Sequence, residues 1–182
     1  MMATDKEKRV SNELKAQARD LGAYCGIYEA WDEDCTFDEL IGKFIAGFDF
    51  CLEHDWPSPK YIKDNFPLHC LRANGIFCDD AWHKSDVRNA VVMGRSNVKL
   101  YYSDYAFGDV RVRHNSRVSV SVDSIAIVHI HLYDNASAFV EAEEGAKVTV
   151  FMHSKKAMVT KVGEVKVVKD GDKETGNGVR KG

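Results

Sequence analysis

From Ser96 to Val162 the chain repeats itself every ten residues. Ser96, Ala106, Ser116, Ala126, Ala136 and Ala146 are small. Leu100, Val110, Val120, Ile130, Val140 and Val150 are apolar. Val98, Val118, Val128, Ala138, Val148 and Met158 form a second apolar column, with Gly108 as the exception. Tyr102, Val112, Val122, Leu132, Ala142, Met152 and Val162 form a third. The pattern runs for seven copies and fades in the last, at Lys156 and Thr160. A short fixed period means stacked units, none of which buries its own face alone.

Within each copy the apolar residues lie two apart, as in Val118, Val120 and Val122, so they share one face of a strand. Between the strands come turn formers: Ser103-Asp104, His114-Asn115, Asp123-Ser124, Asp134-Asn135, Glu144-Gly145 and Ser154-Lys155. Ten residues hold one strand and one turn. The economical solution is a short two-sided parallel β-solenoid of twenty residues per coil, with two sheets packed face to face. Seven strands then make about three and a half coils, roughly 17 Å long at ~4.8 Å per rung. A β-sandwich is the alternative, since its strands also recur at about 8–12 residues. Sandwich loops vary in length, whereas this spacing holds without insertion.

The strands are preceded by a different kind of sequence. Residues 1–80 carry nine Lys/Arg against sixteen Asp/Glu, and residues 94–162 nine against seven. Neither half has the strongly basic character of a nucleic-acid binder. The amino terminus has no apolar stretch of signal-peptide type, and no run approaches the length of a membrane helix. All five cysteines (Cys25, Cys35, Cys51, Cys70 and Cys78) precede the repeats. Their irregular spacing predicts reduced thiols in a cytoplasmic setting.

The chain is therefore expected to be α+β, with a helical domain over residues 1–74, a solenoid over 75–168 and a disordered tail over 169–182. Residues 5–21 form a helix with a thin apolar stripe (Val10, Leu14, Ala18, Leu21), expected to dock weakly and to end at Gly22. Residues 23–35 are acidic, aromatic and irregular. Thr36 and Glu39 make a capping box for a helix running to residues 53–55. Ser58-Pro59 starts another, stopped by Pro67. Residues 75–78 and 89–93 read as strands, and Glu164–Val168 as a closing strand after a phase shift at Gly163.

Residues twenty apart stack on adjacent rungs of such a solenoid. That aligns Arg111 with His131 and Phe151, Asp109 with His129 and Thr149, and Arg113 with Tyr133 and His153. One outer face is thus rich in Arg, His and aromatic residues. With the outward-pointing Ile127, it gives a candidate binding surface of Arg111, Arg113, Ile127, His129, His131, Tyr133 and Phe151. The opposite face carries Lys99, Ser119, Phe139 and Val159, beside Tyr101, Ser121, Glu141 and Lys161. No third metal ligand has suitable spacing, so neither a metal nor another cofactor is expected. No GxSxG, HExxH, P-loop or GxGxxG pattern is present. Cys70, Cys78 and His83 have no standard zinc spacing. Asp79-Asp80 beside Trp82-His83 is the one stretch that suggests an acid/base pair, and a capped turn explains it as well. Strand carboxylates outside the core number two, Asp109 and Glu141, on opposite faces, which argues against a lyase.

The links His114-Asn115-Ser116-Arg117-Val118, Asp134-Asn135-Ala136-Ser137-Ala138 and Glu144-Gly145-Ala146-Lys147-Val148 resemble the ten-residue β-solenoid repeats of small phage and prophage proteins. The helical lead-in Phe44–Phe66 resembles the amino-terminal part of proteins from gut-bacterial mobile elements. The departure is at Ile125 and Ile127, where outward positions are apolar. The resemblance implies no catalytic residues. It implies a non-enzymatic structural or protein-interaction module, either cytoplasmic in a bacterial host or virion-associated. Partners would be a second copy in a dimer or trimer, or another phage or host protein, without nucleic acid or membrane. The alternatives are a carbohydrate-binding module, with Tyr101, Tyr133, Phe139 or Phe151 as stacking platforms, and a hydrolase or lyase at the domain junction.

Overall fold

Thr4 starts the first helix, α1 (Asp5–Asp20), through a capping box in which Glu7 reaches back to the Thr4 backbone. The computed structural model describes residues 2–23, 31, 32 and 34–170. The expectations for residues 24–30, 33 and 171–182, including Cys25 and most of the tail, fall outside them. The chain divides into two compact units, residues 1–79 and 80–182.

In the first unit, the thin stripe of α1 is buried except at its C-cap, Leu21. Val10, Leu14 and Ala18 are buried, each of the two larger ones contributing about 1.5–3 kcal/mol. Polar bonds fasten the helix further. The Trp31 indole donates to Ser11 Oγ at 3.0 Å, and the Tyr61 hydroxyl donates to Glu13 at 2.7 Å. These bonds add to the contacts of a stripe too narrow to hold the helix by apolar burial alone. Thr36 and Glu39 cap α2 (Phe37–Ala46) as expected. The helix does not run on to residue 53, because Gly47 leaves helical geometry and α3 (Phe48–Glu53) starts anew. Ser58 caps α4 (Pro59–Asn65). Pro67 ends α4 and also opens α5 (Leu68–Ala73), a helix absent from the sequence reading. Strand β1 (Ile76–Cys78) is buried throughout.

The second unit is a parallel β-solenoid. Its strands are β2 (Ala81–Ser85), β3 (Asn89–Met93), β4 (Asn97–Tyr102), β5 (Phe107–Val112), β6 (Arg117–Val122), β7 (Ile127–Leu132), β8 (Ser137–Ala142), β9 (Lys147–Met152), β10 (Met158–Val162) and β11 (Val165–Lys169). Even-numbered strands lie in one sheet and odd-numbered strands in the other, each paired in parallel with the strand two places on. The offset is twenty residues from β3 to β9 and from β4 to β8, as with Val120 on Val140 and Ile130 on Val150. Val110, Val120, Ile130, Val140 and Val150 are wholly buried between the sheets.

Each corner needs a residue that bends the chain sharply. Asp104, His114, Ser124 and Asp134 take φ between 52° and 60°, and Gly145 takes 94°. Short polar side chains and glycine tolerate this region best. Corners also bond from rung to rung: His114 N–H donates to Asp134 at 2.9 Å, and Asn135 donates to Asn115 at 3.2 Å.

The regular stretch is extended at both ends by coils the decade spacing hides. At the start, β2 stacks on β4 with an offset of sixteen, Lys84 on Leu100. At the end the phase shifts before Gly163. The link 153–157 carries one extra residue, so Ala157 and not Lys156 takes the buried small-residue place, and Met158 turns outward. Phe139 therefore stacks on Thr160, not Val159, and Glu141 on Val162, not Lys161. Lys161 instead falls in the core column of Val120 and Val140, where its ammonium donates to the Val165 carbonyl. Lys169 likewise ends the column of Leu132 and Met152, so β11 runs one residue into the expected tail.

Candidate interaction surface

The outer face of the odd-numbered sheet collects the side chains that the twenty-residue spacing aligns. Arg111, His131, Phe151 and Val168 form one column, and Asp109, His129, Thr149 and Lys166 the next. Alternation along β5, β7 and β9 turns these residues outward while their neighbours fill the core. The rings are packed against one another. His131 stacks on Phe151 at 4.7 Å between centroids, and Tyr133 stacks on His153 at 4.5 Å. His129 lies edge-on between Phe107 and Phe151, at 5.6 and 5.9 Å.

A polar line crosses the same face. Arg111 Nη2 donates to Asp109 Oδ2 at 2.8 Å. Asp109 Oδ1 is buried, accepts no hydrogen bond among the described residues, and lies 3.6 Å from His131 Nε2. His131 Nδ1 meets His153 Nε2 at 3.0 Å, and His153 Nδ1 meets Asp170 Oδ2 at 3.1 Å. Burial pushes the proton affinity of His131 below the usual imidazole range. Asp109 opposes that shift, and His153, Arg111 and His129 reinforce it.

Six of the seven expected surface residues lie in or beside this ladder. Arg113 does not reach the surface. It falls one residue past β5, where the alternation ends at a corner, and its side chain is 3% exposed, with Nε 4.0 Å from Asp134. The sequence reading missed Tyr105 and Phe107. Tyr105 is 88% exposed and stands one rung from Ile125 in the same link column; Phe107 pairs directly with Ile127. With Ile125 and Ile127 they make an exposed apolar edge two rungs tall. The twenty-residue spacing that aligned the histidines would also have found it.

The acid/base and zinc readings gain no geometry. Asp79 lies 3.8 Å from Lys63, and the Asp80 backbone N–H donates to Ser96 Oγ. The Cys78 thiol donates to the Pro59 carbonyl, while Cys70 meets His69. Among the described residues no group of three or more His, Cys, Asp or Glu is placed to hold a metal ion. Also among them, no helix is long and apolar enough to cross a membrane.

Fold and surface together define the class as a short two-sided parallel β-solenoid carrying a ring-rich outer face. No family model, curated protein or solved structure matches the chain.

Proposed function

We propose that this protein is a non-enzymatic interaction module that self-associates through the edge formed by Tyr105, Phe107, Ile125 and Ile127 and the adjoining ring-lined face. The observation that supports this most is the stacking of four exposed large apolar side chains on two successive rungs. Scattered surface apolar residues are ordinary; a contiguous set bordered by Arg and His resembles the composition of interfaces. A second copy fits this edge better than the ends of the stack. At its carboxyl-terminal end both terminal strands carry an exposed lysine at a core register position, Lys161 and Lys169. Such charges discourage strand addition, leaving lateral contact as the route. Two copies related by a twofold axis would pair the edge with itself and close the assembly.

The test is light scattering behind size exclusion at micromolar concentration. The expected result is a dimer or trimer that Ile127→Lys dissociates while β content stays unchanged. A clean 20.5 kDa monomer across a tenfold dilution series contradicts self-association. It would turn the reading toward a partner encoded by another gene.

A carbohydrate-binding role has less support. The Phe151 and Tyr133 rings spend a face on His131 and His153, and Tyr101 and Phe139 stand in separate columns of the other sheet. A glycan array should stay blank. The phage or mobile-element setting, cytoplasmic or virion-associated, rests on the resemblance of the repeats. The neighbouring genes would test it.

A further inference from the structure

We propose that His131, His153 and Asp170 form an acid-released latch that holds the last rung of the solenoid. The line Asp109, His131, His153, Asp170 crosses the sheet from β5 to the end of β11. Beyond the backbone ladder between β11 and β9, it is the polar side-chain link from the body of the stack to Asp170.

The protons can be counted along this line. Asp170 accepts from His153 Nδ1, which leaves His153 Nε2 as an acceptor. His131 Nδ1 must then donate across the 3.0 Å contact. One ring nitrogen of the facing pair has to be bare. A first added proton is tolerated, because His131 Nε2–H can donate to Asp109 Oδ1, which otherwise lacks a donor. A second proton places N–H against N–H and breaks the contact.

The charged groups on the surrounding elements are Asp109 and Arg111 on β5, His129 on β7, Lys147 on β9, Lys166 and Lys169 on β11, Arg113, Asp134, Lys155 and Lys156 in the links, and Asp170. Arg111 and His129 oppose a cationic pair; Asp109 and Asp170 favour one positive charge but are too few to hold two beside Arg111. Burial of His131 acts in the same direction. A depressed folded-state affinity means that this stabilisation is present above the ordinary imidazole range and is lost as the pH falls through it. Opening at this point frees β11 from its Asp170 end, since among the described residues its one strand neighbour is β9 and its other side-chain tie, from Lys161 to the Val165 carbonyl, lies at the far end. It would uncover β9 as a new parallel edge.

Hydrogen exchange on the full chain, corrected for intrinsic rates, tests this at pH 7.5 and pH 5.0. Amides of residues 165–169 should lose protection by about tenfold or more at the lower pH, while those of β6 stay protected. His153→Gln and Asp170→Asn should each show the low protection of β11 at both pH values. Equal protection of β11 at the two pH values would overturn the latch. So would parallel loss in β6 and β11, which marks global acid unfolding, or a pH response retained in both variants.

Discussion

Gly108 breaks the apolar column because Tyr102 occupies the space a side chain would need. A β-carbon there would lie 2.5 Å from the Tyr102 ring. The ring is buried, and its hydroxyl donates to the Val87 carbonyl at 2.9 Å; burial pushes its ionisation well above the usual phenol range. Strand β5 thus trades a valine for the tyrosine that β4 sends in from the facing sheet. Gly108→Val should lower stability by about 1–3 kcal/mol through overpacking, and pairing it with Tyr102→Val should recover part of the loss. Denaturant melts of the two variants would measure both. Ile130 has the opposite logic: it is wholly buried in the central column. Ile130→Asp would place a carboxylate between two apolar sheets and should cost several kcal/mol. Near-wild-type melting of that variant would remove Ile130 from the core.

At the scale of elements, strands end the stack as deliberately as they build it. The column Leu100, Val120, Val140 has a lysine at either end, Lys84 on β2 and Lys161 on β10. Lys169 does the same for β11. Replacing Lys161 and Lys169 together by Val should let the carboxyl-terminal ends associate, seen as concentration-dependent particles larger than the wild-type assembly. Unchanged mass would show that these charges do not guard the end. The middle of the solenoid was legible because its links keep constant length: Arg111, His131 and Phe151 could be aligned by counting. The ends were not. Residue 157 carries the buried alanine only because the link before it has one extra residue, and β2 lacks apolar alternation, with exposed Trp82 and half-buried Lys84 at its inward register positions. Arg113 looked like a surface residue because the counting says nothing about where alternation stops. The break at Gly47 and the helix after Pro67 depend on local geometry that an amphipathic stripe does not record.

At the scale of the whole molecule, every functional reading depends on residues twenty apart being neighbours in parallel. The ring ladder, the apolar edge of Tyr105, Phe107, Ile125 and Ile127, and the histidine latch all disappear if the strands pair instead as an antiparallel meander or sandwich. The two arrangements differ in which protons approach each other. In parallel pairing, contacts join strands two apart in sequence; in a meander, consecutive strands pair and bring α-protons directly together. Nuclear Overhauser contacts in a uniformly labelled sample decide between them. The account predicts backbone contacts from Val118 to Ala138 and from Val120 to Val140, with none of the close α-proton pairs of antiparallel strands between β6 and β7. Close α-proton pairs between β6 and β7 would contradict it.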